Sequence, residues 1–193
     1  MTDRTARSVA TRRRFVEVAL QLFHEQGYAQ TSMAQIAHAA GGSRANLYLY
    51  FNTKSQLVMT RMRELEPEVE ELYTALDALP DHSPETMREW VDRARQMWFR
   101  YAAEFNAIAQ AMGDEPDILD EWLGLIHRMC RAQVVLYRDC ASEEERWDRE
   151  AHMVTLMMSL ERNFYFLYIR RRGDHEDRVL TALAAQWSRL FDE

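Results

Sequence analysis

The sequence is short of nearly everything that would mark a secreted, membrane-bound or metal-dependent protein. It holds two cysteines, Cys130 and Cys140, ten positions apart and without CxxC spacing. A disulfide would need the fold to bring them together, and the plainer reading is two reduced core thiols. No apolar run approaches the ~18–20 residues of a membrane helix. The stretch "MTDRTARSVATRRRF" lacks the apolar centre of a signal peptide. The expectation is a soluble, cytoplasmic chain. Glycine and proline are scarce, at six and four in 193 residues. There is no low-complexity tract, no repeat and no long alternating segment, which argues against strands. A phosphate-binding glycine loop and a nucleophile elbow are also missing. The six histidines are scattered, and His127 with Cys130 offers only two soft ligands without partners. Neither an enzyme, nor a metal site, nor a cofactor is expected.

Lysine is the scarcest cation. Of 24 basic residues one is lysine, Lys54, and the rest are arginine. The formal net charge of −7 averages two unlike parts. Residues 1–61 carry eight basic against three acidic side chains, a balance of +5, whereas the remainder carries 16 against 28, a balance of −12. A basic N-terminal third on an acidic body points to a small module aimed at a polyanion. A hydrophobic content of 47% provides for a real core.

Helical spacing recurs throughout, so the expected fold is all-α, of about nine helices. The first runs from about Thr11 to Gln26, with Phe15, Val16, Ala19, Leu20 and Phe23 as its apolar stripe. The second starts at Ser32, where "SMAQ" reads as a capping box with Gln35, and ends at Gly41–Gly42. Ser43 caps a short third helix from Arg44 to Tyr50. A fourth runs from Thr53 or Lys54, and Pro67 predicts a kink or break near Leu65–Glu66. Ser83 and Pro84 open a fifth, to about Ala103, and a short sixth covers Glu104–Met112. Beyond Gly113–Pro116 the spacing predicts a helix to about Cys140, a long one over 145–172 and a last one over 176–191.

Helix, tight Gly–Gly turn and short helix have the dimensions of a helix-turn-helix, whose second helix offers its first turn to base edges in the DNA major groove. That turn is Arg44, Ala45 and Asn46. Arginine pairs bidentately with guanine, asparagine with adenine, and an alanine methyl meets a thymine methyl. Tyr48 and Tyr50 flank the helix with phenols able to reach phosphates, and Lys54 supplies an ammonium to another. Phe51 and Leu47 turn inward. The stretch Arg4–Arg14, with Arg12, Arg13 and Arg14, reads as an arm for phosphates or the minor groove.

The stretch "TSMAQIAHAAGGSRANLYLYFNTKSQL" resembles the helix-turn-helix of the tetracycline-repressor (TetR) family of bacterial transcription regulators. The matching elements are Thr31–Ser32, Ile36–Ala37, Ala40–Gly41, Ser43, Leu47–Tyr48, Tyr50–Phe51, Lys54 and Leu57. The resemblance adds Thr31, Ser32 and Ser43 to the DNA-binding set. Gly42 departs from it, because the family usually has an aliphatic residue there; a looser turn is expected. The resemblance covers residues 12–60 and implies a DNA-binding module over 1–54 and a ligand-binding and dimerisation body over 55–193. It further implies a homodimer on double-stranded operator DNA, with the last two helices pairing between subunits, and a repressor released by a small hydrophobic effector. A carrier or sensor of hydrophobic ligands with a vestigial DNA module is the alternative.

The body is rich in methionine and tryptophan: nine of eleven methionines follow residue 58 and four of five tryptophans lie between Trp90 and Trp147. Flexible thioethers and flat rings suit an adaptable apolar cavity. Its expected lining is Trp90, Met97, Trp98, Tyr101, Phe105, Asn106, Gln110, Trp122, Met157, Leu160, Asn163 and Phe164. The segment from Trp90 to Phe105, with "LERNFYFLY", resembles the ethionamide-resistance repressor branch. Met153, Leu167, Leu183, Trp187 and Leu190 recur at helical spacing that suits a dimer interface or a core.

Overall fold

The computed structural model describes residues 3–191, with the side chains of 3 and 4, including that of Arg4, outside the described set. Among the described residues there are nine α-helices and no strand. They are α1 (Asp3–Gln26), α2 (Met33–Ala39), α3 (Arg44–Tyr48), α4 (Lys54–Thr74), α5 (Pro84–Arg100), α6 (Ala102–Ala111), α7 (Pro116–Ala132), α8 (Glu143–Phe164) and α9 (Glu176–Leu190). The chain forms two compact units. The first comprises the residues up to Leu65 together with Ala103–Glu121, the second Glu66–Ala102 and the residues from Trp122 onward.

In the first unit the predicted stripe of α1 is buried: Phe15, Val16, Ala19, Leu20 and Phe23 pack with Ile36, Ala37, Leu47, Phe51, Leu57 and Val58. Each of the larger of these side chains removed from water contributes about 1.5–3 kcal/mol. The arm before Thr11 is not extended. It is the first turns of α1, because nothing between Asp3 and Gln26 breaks a helix: neither glycine nor proline occurs there. Thr11 accordingly donates to the carbonyl of Arg7 at 2.8 Å.

Helix α4 ends at Thr74, ahead of the Leu79 to which its helical spacing extends, but it does not break where expected. It passes unbroken through Pro67, although proline cannot donate to the carbonyl of Arg63. The residues beside the proline are held by side chains of the second unit, where Glu66 pairs with Arg128 at 2.8 Å and Glu68 with Arg100 at 2.7 Å. Tyr101 donates to the same Glu68 carboxylate at 2.5 Å. Tertiary packing therefore overrides the local break signal.

The second unit is built around α5 and α9. Ser83 caps α5 by accepting from Thr86 N–H, and Pro84 opens it, as expected. Asp81 accepts from both Ser83 and Thr86, which holds its carboxyl down to about 2. Trp90 lies 4.7 Å from Trp187 and 5.6 Å from Tyr73, and its indole donates to the carbonyl of Leu72 at 2.8 Å. Helix α7 stops at Ala132 rather than near Cys140. The Asp77 carboxylate accepts the N–H groups of Val134 and Val135 at 2.7 and 2.9 Å and diverts the backbone into a 3-10 turn, Val135–Tyr137. Cys140 is consequently half-exposed and only Cys130 is a core thiol, pushed up to about 12 by burial. Helix α8 ends at Phe164 and runs on as a π-helical turn, Tyr165–Ile169, instead of continuing α-helical to Arg172. Arg171 and His175 then take left-handed backbone conformations before α9.

Candidate nucleic-acid interface

Each part of the α2–turn–α3 unit has a local cause. Ser32 accepts the N–H of Gln35 at 3.3 Å while the Gln35 side chain accepts the N–H of Ser32 at 2.8 Å, the reciprocal capping box. Helix α2 stops where Gly41 adopts φ +68°, a conformation that costs an L side chain about 1 kcal/mol or more. Gly42 follows for a different reason. A Cβ there would lie 3.2 Å from Phe15 Cζ, so the α1 ring occupies the space that a side chain would need. Phe15 thus fills the space of the aliphatic side chain that Gly42 lacks. Ser43 caps α3, accepting the N–H of Asn46 at 3.1 Å. Arg14 stands at the same turn, with Nη2 3.4 Å from where a Gly41 Cβ would be.

On α3, Leu47 is fully buried and thereby fixes the rotation of the helix. Arg44 and Ala45 are exposed, Asn46 is half-buried and Tyr48 is 48% exposed. The side chains expected to read bases thus occupy the outer side of the first turn. Sequence reasoning missed Leu49, which is 80% exposed beside Tyr48. The signal was available, since two positions beyond an inward Leu47 a helix points almost directly outward.

Other members of the expected set are engaged within the protein. The Tyr50 hydroxyl accepts from Ser8 at 3.4 Å and its ring lies 6.0 Å from Phe15, so it packs across α1 as well as facing outward. Arg12 donates to Thr60 at 2.9 Å and lies 5.1 Å from the centre of the Phe51 ring. Arg13 pairs with Glu17 at 2.7 Å on an exposed face. Thr31 is buried, donating to the carbonyl of Gly27 at 2.8 Å and accepting from Gln26 at 3.1 Å. The Lys54 ammonium donates to the carbonyl of Tyr28 at 2.7 Å.

Residues 15–59 match the family model of the bacterial regulatory proteins, tetR family. The chain carries a TetR-family helix-turn-helix. The match to this TetR-family module covers every helix from the apolar stripe of α1 to the first turns of α4. The chain is 32% identical over 74 residues to the HTH-type transcriptional regulator TtgR of Pseudomonas putida, an alignment that covers 38% of this chain and 35% of TtgR. It is 23% identical over 145 residues to the regulator EthR of Mycolicibacterium smegmatis, covering 75% of this chain and 62% of EthR. The aligned part therefore spans about a third of TtgR and less than two thirds of EthR. Among solved structures, FadR of Thermus thermophilus, a TetR-family transcriptional repressor in complex with lauroyl-CoA, has the same all-helical fold. The TM-score is 0.60 at 18% identity, over 94% of this chain and 93% of FadR.

The residues expected to line a cavity are dispersed. Phe105, Asn106 and Gln110 belong to the first unit, and Gln110 accepts the N–H of Tyr28 at 2.9 Å. In the second unit Trp90, Leu160 and Phe164 are at most 1% exposed and Met97, Trp98 and Met157 are buried. They are core: Trp98 meets Phe164 edge-on at 5.9 Å, and Met157 receives the Cys130 thiol at 3.6 Å. Asn163 donates to the carbonyl of Ser159 on its own helix, and Trp122 is half-buried. A cavity of about 190 Å³ is lined by Glu68, Glu71, Leu72, Arg93, Gln96, Met97 and Arg100, and so holds one of the expected residues amid charge.

Met153, Leu183, Trp187 and Leu190 are buried within the single chain, where α9 packs on α5 and α8, and Leu167 lies half-buried in the π-helical turn. The apolar side chains that α8 leaves in water are others, Trp147 at 64% and Met158 at 37% exposure. No group of three or more His, Cys, Asp or Glu able to hold a metal occurs among the described residues. His127 instead bonds Glu150 at 2.9 Å. No helix of the described residues is long and apolar enough to cross a membrane.

Proposed function

We propose that the chain is a homodimeric transcriptional repressor that reads a near-palindromic operator through α3 and is released by a small hydrophobic effector. The observation that carries the reading is the outward first turn of α3: Arg44 and Ala45 exposed and Asn46 half-buried, over an inward Leu47, with helix start and turn fixed by Ser43 and Gly41. Arg44 would read guanine and Asn46 adenine. Ser32, Ser43, Tyr48 and Arg14 would meet phosphates, and Leu49 would add an apolar contact to a thymine methyl or sugar. Two copies reading successive turns would stand ~34–36 Å apart.

The interface between copies is assigned to the outer face of α8. Trp147, Ala151, Val154 and Met158 recur there at intervals of four, three and four, with the two largest in water. An effector class is suggested by FadR, whose structure contains lauroyl-CoA, and by the methionines concentrated after residue 58. An effector can release DNA only through a difference in its affinity for two spacings of the modules.

The test is selection of duplexes from a randomised pool by the purified chain. An enriched inverted repeat, with half-sites about one helical turn apart, supports the proposal. No enrichment above the starting pool contradicts it. For the interface, sedimentation of Trp147→Glu at micromolar concentration should yield monomer, and an unchanged dimer would move the interface elsewhere.

A further inference from the structure

The single lysine of the chain stands at the head of α4, where an ammonium would be expected to serve DNA. Its surroundings give it other work. Nζ donates to the Tyr28 carbonyl at 2.7 Å and lies 4.3 Å from the centre of the Tyr28 ring. The same carbonyl accepts the N–H of Thr31 at 3.2 Å, so both of its acceptor sites are taken. Tyr28 is 1% exposed and is held from the other side as well. Its N–H donates to Gln110 of α6 at 2.9 Å and its hydroxyl to Glu115, just before α7, at 2.8 Å. Its ring meets Phe23 at 4.9 Å. All these residues belong to the first unit. Burial lowers the Lys54 pKa, whereas the carboxylates of Glu115 and Asp114 pull it back up. The ammonium thus has anionic neighbours of its own.

We infer that Lys54 is a strut of the DNA-binding module rather than a phosphate ligand, and that Gln110 and Glu115 are positioning residues which clamp the same turn from α6–α7. The inference rests on the DNA-binding reading only for its effect on affinity. Lys54 fixes the Tyr28–Thr31 turn, the turn leads into the Ser32 cap, and the cap sets the start of α2 and hence the aim of α3. Loss of the strut weakens DNA binding by loosening α2–α3 and leaves the number of phosphate contacts unchanged. A lost phosphate contact would lower the slope of log affinity against log salt by about 0.9. A lost strut lowers affinity by the same factor at every salt concentration.

The experiment has two arms, with Lys54→Met, Glu115→Ala and Glu115→Gln beside the parent. Hydrogen exchange of the Thr31 amide reads the turn without DNA. It should speed up about tenfold in Lys54→Met and Glu115→Ala, the worth of one charge-assisted hydrogen bond. It should stay near the parent in Glu115→Gln, whose amide oxygen still accepts from Tyr28. Anisotropy on a duplex enriched by the parent then reads the salt slope, expected to be the same in Lys54→Met and parent. Unchanged Thr31 exchange in Lys54→Met, or a slope reduced by about one contact, overturns the inference. Should the parent bind no DNA, the DNA-binding reading fails and the exchange arm alone decides whether the strut exists.

Discussion

Glu161 is the carboxylate of the second unit that burial raises, and replacing it with glutamine makes a signed prediction. Burial pushes its carboxyl from the ordinary 4.5 up to about 7, and the Arg162 charge offsets this only in part. Each pKa unit corresponds to about 1.4 kcal/mol, so a shift of this size has a ceiling of about 3 kcal/mol. The side chain keeps some contact with water, and a working figure is about 1–2 kcal/mol. The raised pKa means that the folded chain binds more protons than the unfolded chain between about pH 4.5 and 7. Glu161 therefore costs nothing below about pH 4.5, where both states are protonated, and its penalty grows from there until it levels off above about pH 7. Urea unfolding of parent and Glu161→Gln at pH 5, 6, 7 and 8 gives the difference directly. The variant should exceed the parent only slightly at pH 5, by an amount that grows to about 1–2 kcal/mol at pH 8. A difference independent of pH would refute the reasoning.

Gly41→Ala forces a side chain into φ +68° and should cost about 1 kcal/mol of stability, read by thermal unfolding; an unchanged midpoint would contradict the strain. Trp187 is fully buried, yet its Nε1 has no partner, so Trp187→Phe should cost far less than the about 3–5 kcal/mol of Trp187→Ala. Equal losses in denaturant titration would mean that the indole N–H matters after all.

The first unit was the more legible part of the sequence, because caps and turns act over three or four residues. Ser32 with Gln35, Ser43 with Asn46 and the outward Arg44 all follow from local spacing. Pro67 was misleading, since its cost is local while Glu66 and Glu68 are held by Arg128, Arg100 and Tyr101 from distant sequence. The end of α7 was hidden for the same reason: Asp77, 57 positions from Val134, supplies the acceptor that stops it. In the second unit an apolar residue at helical spacing can face a core, a cavity or a second subunit. Trp187 and Leu183 have the periodicity of an interface and the burial of a core. Lys54 shows a further limit, because its partner Tyr28 lies across a fold that composition does not describe.

The central claim is that Arg44 reads a base. Fluorescence anisotropy of parent and Arg44→Ala on a duplex enriched by the parent, across a salt series, tests it most directly. A lost bidentate pair costs about 1–3 kcal/mol, and the account predicts that loss on the enriched duplex, with far less loss on unrelated DNA and a salt slope nearly unchanged. Equal weakening on both duplexes with a slope reduced by about 0.9 would make Arg44 a phosphate contact, and no weakening at all would contradict the reading of α3.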